Sequence, residues 1–193
     1  MLSVLCSVYD PPGYLAPFTL AAKRIMQELT RKKVDWDESL PEQELSEWLQ
    51  WLEDRKYIEN IQIPRHVKLS GAAEEYYELH HFANASNAAY GAVTYLCVVD
   101  SAGAGICRLL LAKSKLAPIK ATTIPRLELM AATLAVKLDA LVKRETDILV
   151  QKTVFWTDSS IVLQYINNDS KRFHTFVANR IAVIRGASEP DQW

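Results

Sequence analysis

Three positions in the chain have side chains and spacing that could share one piece of chemistry: Asn84, Glu128 and Asp158. Asn84 stands in "ELHHFANASNAAYGAV", where a strand-like alternation through Glu78-Leu79-His80-His81-Phe82 stops in a turn of small residues and then restarts. Glu128 lies early in a long helical pattern. Its i+3, i+4 and i+7 neighbours are Ala131, Ala132 and Ala135, small enough to let a helix press against a sheet. Asp158 closes the apolar run "KTVFWT" and leads into a short helical pattern, at the strand end where α/β proteins gather ligands. Taken singly, Asp158 reads equally as a helix N-cap and Glu128 as a surface acid favoured by the helix dipole. As a set, a first strand, a crossover helix and the next parallel strand can bring them to one small volume. Carboxylates gathered that closely repel unless a hard cation holds them, so an acidic cluster there implies Mg²⁺ or Mn²⁺.

A second group is basic. Lys113, Lys115, Lys120 and Arg126 belong to "KSKLAPIKATTIPR", which leads into the helix bearing Glu128; they can meet phosphates or simply be solvated. Lys171 and Arg172 form a weaker candidate of the same kind. His80 and His81 alternate along a strand, so at most one faces any site, and a partly exposed strand pair is expected. His174 precedes a helix and reads as a capping or surface residue. An aspartic peptidase is excluded, because "DSAG" and "TDSS" both lack the glycine its Asp-Thr/Ser-Gly loop requires. A serine hydrolase is unsupported, because no G-x-S-x-G elbow occurs.

The elements that would position these residues are legible. The 193 residues are 49% hydrophobic and 23% charged, enough for a sizeable core in one domain or two small ones. A net charge of −1 gives no global positive field, so any nucleic-acid contact must come from a local patch. The three cysteines, Cys6, Cys97 and Cys107, lack CxxC spacing. They are expected as reduced, mostly buried thiols of an intracellular, cytoplasmic protein. "MLSVLCSVYD" reads as a strand-like run, too short and too poor in basic residues for a signal peptide or membrane span, so no membrane partner is expected.

Helical spacing begins at Phe18, Ala22, Ile25 and Leu29. A second helix is expected from a capping box at Ser39 and Glu42, with Pro41 in the first turn and Leu45, Trp48, Leu49 and Leu52 on one face. Trp36, Trp48 and Trp51 are expected in the core. The pattern changes near residues 70–75, which predicts a helical segment over 1–72 and a second domain over 73–193. There, period-2 strands are expected at 76–83, 91–99 and 105–113, then a helix over 124–145 with Leu127, Met130, Leu134, Leu138 and Leu141 inward. A fourth strand at 152–158 and two further helices follow, the last turning Phe176, Val177, Ile181 and Ile184 inward. This order argues α/β with a mixed sheet: three antiparallel strands, then a helical crossover to a parallel neighbour.

Several blocks in this order resemble one family. "YDPPGYLAPFTLAAKRIMQEL", "DWDESLPEQELSEWLQWL", "FANASNAAYGAVTYL", "KSKLAPIKATTIPRLELMAA", "FWTDSSIVLQYI", "FVANRIAVI" and "EPDQW" are similar to motifs of Pao/BEL-type LTR retrotransposon polyproteins, where the end of reverse transcriptase joins ribonuclease H. The resemblance implies that 1–72 is thumb/connection-like, and that 73–193 is a ribonuclease H-like mixed sheet truncated before its last strand and helix. It implies two divalent metals, Mg²⁺ or Mn²⁺, hydrolysing the RNA strand of an RNA–DNA hybrid. Carried over by position, the first acid falls on Asn84, the second on Glu128 and the third on Asp158, with the fourth beyond Trp193. An amide at 84 supplies no charge, so weakened metal binding and impaired hydrolysis are expected. The alternative is a non-catalytic module, domesticated from a retroelement, that binds nucleic acid or protein. The partners implied are hybrid nucleic acid and the rest of a retroelement polyprotein.

Overall fold

The structure is a computed structural model describing residues 1–63, 75–100, 103, 105–170 and 172–193. The expected boundary at 72/73 and Lys171 lie outside the described residues. Three helices come first: α1 (Leu2–Cys6), α2 (Ala16–Lys32) and α3 (Glu42–Asp54), with a 3-10 turn at Arg55–Asn60. The run expected as a strand is therefore a short helix. Met1, Val4, Leu5 and Val8 recur at helical spacing and pack against the α2–α3 cluster of Ile25, Trp48 and Trp51. The capping box does not form either, since α3 starts at Glu42 with Pro41 as N-cap and no side-chain cap bond. Ser39 thus sits too far upstream to reach the free N–H groups of the first turn. Trp48 and Trp51 are buried and stack at 4.9 Å, and Trp51 Nε1 donates to Phe18 O at 2.9 Å. Trp36 is instead 86% exposed, because it lies in the α2–α3 connection, outside the stripe that buries the other two.

The sheet follows the expected order. Strands β1 (Glu75–Ala85), β2 (Ala89–Asp100) and β3 (Gly105–Leu116) form an antiparallel meander. Helix α4 (Ile124–Glu145) then crosses over to β4 (Val150–Thr157), which pairs with β1 in parallel. The strand order is β3-β2-β1-β4, and α5 (Ser160–Ile166), α6 (Thr175–Arg185) and a 3-10 turn at Pro190–Gln192 complete the chain. Helix α4 is buried more widely than a single stripe: Leu129, Ala131, Ala132 and Ala135 have no exposed surface. The sheet covers one side of α4 and α6 another, and the alanines permit that close approach. β4 lies at the sheet edge, where Gln192 Nε2 donates to Thr153 O at 3.3 Å and Trp193 stacks on Phe155 at 4.7 Å. The C-terminal residues thus partly cover this edge. Among the described residues no helix is long and apolar enough to cross a membrane.

Period-2 alternation sorts β1 into two faces. Leu79, His81 and Ala83 are buried toward α4, while His80 and Phe82 point to the other face. His81 is therefore not part of an exposed pair. It is fully buried, with Nδ1 2.8 Å from Thr94 Oγ1 and Nε2 3.1 Å from Asp139 Oδ1, and Lys143 Nζ reaches the other Asp139 oxygen at 2.9 Å. A carboxylate only accepts, so Nε2–H donates to Asp139, while Nδ1 and the Thr94 hydroxyl share the bond on the other side of the ring. The cysteine expectation also fails. Cys97 and Cys107 face each other across the β2–β3 ladder and form a disulfide, while Cys6 is exposed rather than buried. Sequence spacing conceals this pairing, since only the hairpin register makes the two residues cross-strand neighbours.

The helical segment docks on the outer edge of β3. Ala112 N donates to Pro12 O at 2.7 Å, Tyr14 Oη donates to Leu109 O at 2.7 Å, and Gln27 Nε2 donates to Ala117 O at 2.7 Å. Gly13 makes this approach possible. Its φ is +81°, and a Cβ there would lie 1.9 Å from the Ala112 carbonyl oxygen. Gly13→Ala is expected to cost about 1–3 kcal/mol through left-handed strain and the clash. Thermal unfolding should show a Tm lower by several degrees; an unchanged Tm would mean that this joint contributes nothing.

Candidate functional site

Strand register brings the first and third candidate positions side by side. Ala83 pairs with Thr157 across the parallel β1–β4 ladder, so Asn84 and Asp158 each follow at the carboxyl end of neighbouring strands. Glu128 reaches the same end from the second turn of α4, where its Oε2 accepts the Ser159 hydroxyl proton at 2.5 Å. Ser159 is itself the α5 N-cap and accepts from Val162 N at 3.3 Å. The cap role considered for Asp158 is thereby filled by its neighbour. Asp158 is exposed, and among the described residues no hydrogen bond or ion pair holds its carboxylate. Glu128 is half-buried and turned inward, not a free surface acid.

Asn84 is exposed, and its Oδ1 accepts from its neighbour Ala85 N at 2.6 Å. The turn beyond it closes through Ser86 N to Ala89 O at 2.7 Å, with Ser86 Oγ also accepting from Ala88 N and Ala89 N. Together Asn84, Ser86, Tyr90, Gly91 and Ser114 line a shallow surface hollow at this strand end. Two carboxylates and one amide therefore meet at the mouth of the sheet. They do not fit a pair of divalent cations. The amide carries no charge and its oxygen is already engaged, and among the described residues no group of three or more His, Cys, Asp or Glu converges with metal-binding geometry.

The basic candidates are spread more widely. Lys113 and Lys115 are exposed on β3, opposite Ala92 and Tyr90, with two strands between them and β4. Lys120 is exposed in the loop before α4, and Arg126 is exposed in the first turn of that helix. Arg172 is exposed, and His174 is the exposed N-cap residue of α6, with no side-chain cap bond. Ser159, Tyr90, Phe176 and Arg180 were missed as site neighbours. For the last two a signal existed in the sequence, an aromatic and an arginine four residues apart on one helix face.

Among solved structures, the N-terminal RNase H domain of rv2228c from Mycobacterium tuberculosis, solved as a fusion with maltose binding protein, is similar at 12% identity. The match covers 59% of this chain and 74% of that one, with a TM-score of 0.35. No curated protein sequence matches significantly. The family model described as "Pao retrotransposon-like RNaseH-like domain" matches residues 1–159, from the helical segment through the β4–α5 junction. The strand and helix order with its carboxyl-end cluster, read together with that match, places this chain in the Pao retrotransposon-like RNaseH-like domain family.

Proposed function

We propose that this chain is a retroelement-derived ribonuclease H-like module that engages RNA–DNA hybrid but hydrolyses its RNA strand poorly or not at all. The single observation that carries the reading is Asn84. An amide occupies the strand end beside Asp158 and Glu128, where a third negative charge would be needed to hold divalent metal. Mg²⁺ or Mn²⁺ belongs to the ancestral reaction, which it serves by activating water and stabilising charge on the scissile phosphate. In this chain Glu128 stays bonded to Ser159 and Asp158 stays open to solvent, so hybrid can approach without a complete metal site behind it.

A second reading, a non-catalytic nucleic-acid-binding module, is favoured by the exposed Lys113, Lys115, Lys120 and Arg126, none of which has a carboxylate partner among the described residues. One experiment tests both. Purified chain with an end-labelled hybrid and Mg²⁺ or Mn²⁺ is expected to show salt-sensitive binding with cleavage at background. Metal-dependent cleavage well above that background would overturn the claim of impairment; absence of any hybrid binding would overturn both readings.

A further inference from the structure

We propose that Arg126 and Arg180, gathered on the ring of Phe176, form a clamp for a phosphate group on the flank of α4. The group is a backbone phosphodiester if the nucleic-acid reading above holds, on which this part of the inference rests. Phe176 lies in the first turn of α6 and Arg180 follows at i+4, so one helix face presents both. The Arg180 Cζ lies 3.4 Å from the ring centroid, and its Nη1 donates to Phe176 O at 2.9 Å. Arg126, from the first turn of α4, brings its own Cζ to 5.0 Å from the same centroid.

Two like charges around one ring repel, and the π face offsets only part of that cost. Elsewhere the arginines that form ion pairs have obvious acids: Arg31 with Glu28, Arg144 with Glu145, Arg185 with Asp169. Neither Arg126 nor Arg180 has a carboxylate within ion-pair distance among the described residues. Burial first, and the Arg126 charge with it, holds the Arg180 guanidinium below its ordinary value, against the opposing pull of Tyr90. A purely structural pair would be expected to carry a counter-ion from the chain itself. This one leaves planar donor forks open, since Arg126 is exposed and Arg180 half-buried, and such forks match phosphate oxygens bidentately.

Placement defines which phosphate. Residues two apart on a helix project to different sides, so Arg126 and Glu128 serve opposite flanks of the α4 N-terminus. The clamp therefore takes a phosphate other than one lying against Glu128. Lys115 sits directly across the ladder from Tyr90, on the same face of the sheet, and Tyr90 lies close enough to feel the Arg180 charge. Positive charge thus continues from the clamp toward β3, along a line a nucleic-acid backbone can follow.

The test uses the full chain and two probes: a fluorescent RNA–DNA hybrid followed by anisotropy at several salt concentrations, and inorganic pyrophosphate followed by NMR shifts. Arg126→Gln and Arg180→Gln are each expected to weaken hybrid binding about five- to tenfold and to reduce the salt slope by about one. Arg180→Lys should recover only part of the loss, and Arg144→Gln, at the far end of α4, should bind like wild type. Thermal melts accompany each variant; if Arg180→Gln fails to fold, the exposed Arg126→Gln carries the test. Unchanged affinity and salt slope in the glutamine variants, with wild type binding hybrid, would overturn the clamp. Pyrophosphate binding lost in both variants, with no hybrid affinity in wild type, would keep the clamp and overturn the nucleic-acid reading. No response to either probe would overturn both.

Discussion

Asp139→Ala is expected to destabilise the fold by about 3–5 kcal/mol, the range for breaking one side of a buried, hydrogen-bonded ion pair. Asp139 is buried in α4, where its carboxylate accepts from His81 Nε2 at 3.1 Å and from Lys143 Nζ at 2.9 Å. Removing the carboxylate leaves the His81 donor unsatisfied inside the core and strips Lys143 of its partner. Chemical unfolding of wild type and variant reads the difference directly, and a loss below about 1 kcal/mol would show that the network adds little. The double variant His81→Leu with Asp139→Leu removes both polar partners and is expected to recover much of the loss.

The same carboxyl makes stability depend on acid. Burial alone would raise its pKa, but hydrogen bonds from His81 and Lys143, with their charges, outweigh burial and hold it below the ordinary carboxylate value. A depressed folded value means the stabilisation is complete above the unfolded pKa of about 3.9 and is lost as pH falls through the folded value. Unfolding free energy measured below about pH 4 should therefore fall more steeply for wild type than for Asp139→Asn. Equal acid slopes would remove Asp139 from the account.

Asn84→Asp is expected to raise Mn²⁺ affinity by at least about tenfold. Near a protein surface, one unit charge about 4 Å from another contributes roughly 1–4 kcal/mol, and a divalent ion doubles that. Even the lower figure, doubled to about 2 kcal/mol for the divalent ion, exceeds the roughly 1.4 kcal/mol that corresponds to about one order of magnitude. The new carboxylate would stand beside Asp158 at the carboxyl ends of β1 and β4, with Glu128 arriving from α4. Titration calorimetry with Mn²⁺ measures the gain. Asn87→Asp adds the same charge three residues on, in the turn, and is expected to change affinity far less. An equal gain in both variants would mean that bulk charge, not the strand-end geometry, draws the ion.

Local patterns made much of the fold readable. The α2 stripe, the meander, the long crossover helix and β4 all follow from periodicity, because each element must bury one face. The α3 stripe does not hold as expected: Leu45 and Leu49 are exposed, and Glu44, Trp48 and Trp51 face inward, because docking against α1 and α2 selects a different side of that helix. The failures share a cause. The α1 run looked strand-like, but five residues carry too little periodicity to decide, and docking against α2 and α3 decided for helix. The same limit hid Cys97 opposite Cys107, His81 beneath α4, and Arg126 beside Arg180, since each pairing joins residues brought together only by register or helix packing.

By itself the sequence determined which side chains are available at the mouth of the sheet: an amide at 84, carboxylates at 128 and 158, and an α/β order able to gather them. Charge is a property of residue type, so the missing negative charge at Asn84 was settled before folding. Only the tertiary structure decided that Ser159, not Asp158, caps α5, that Glu128 turns inward to meet it, and that two arginines share one aromatic ring. Those outcomes depend on distances between elements far apart in the chain, which strand register and helix packing set and local sequence does not.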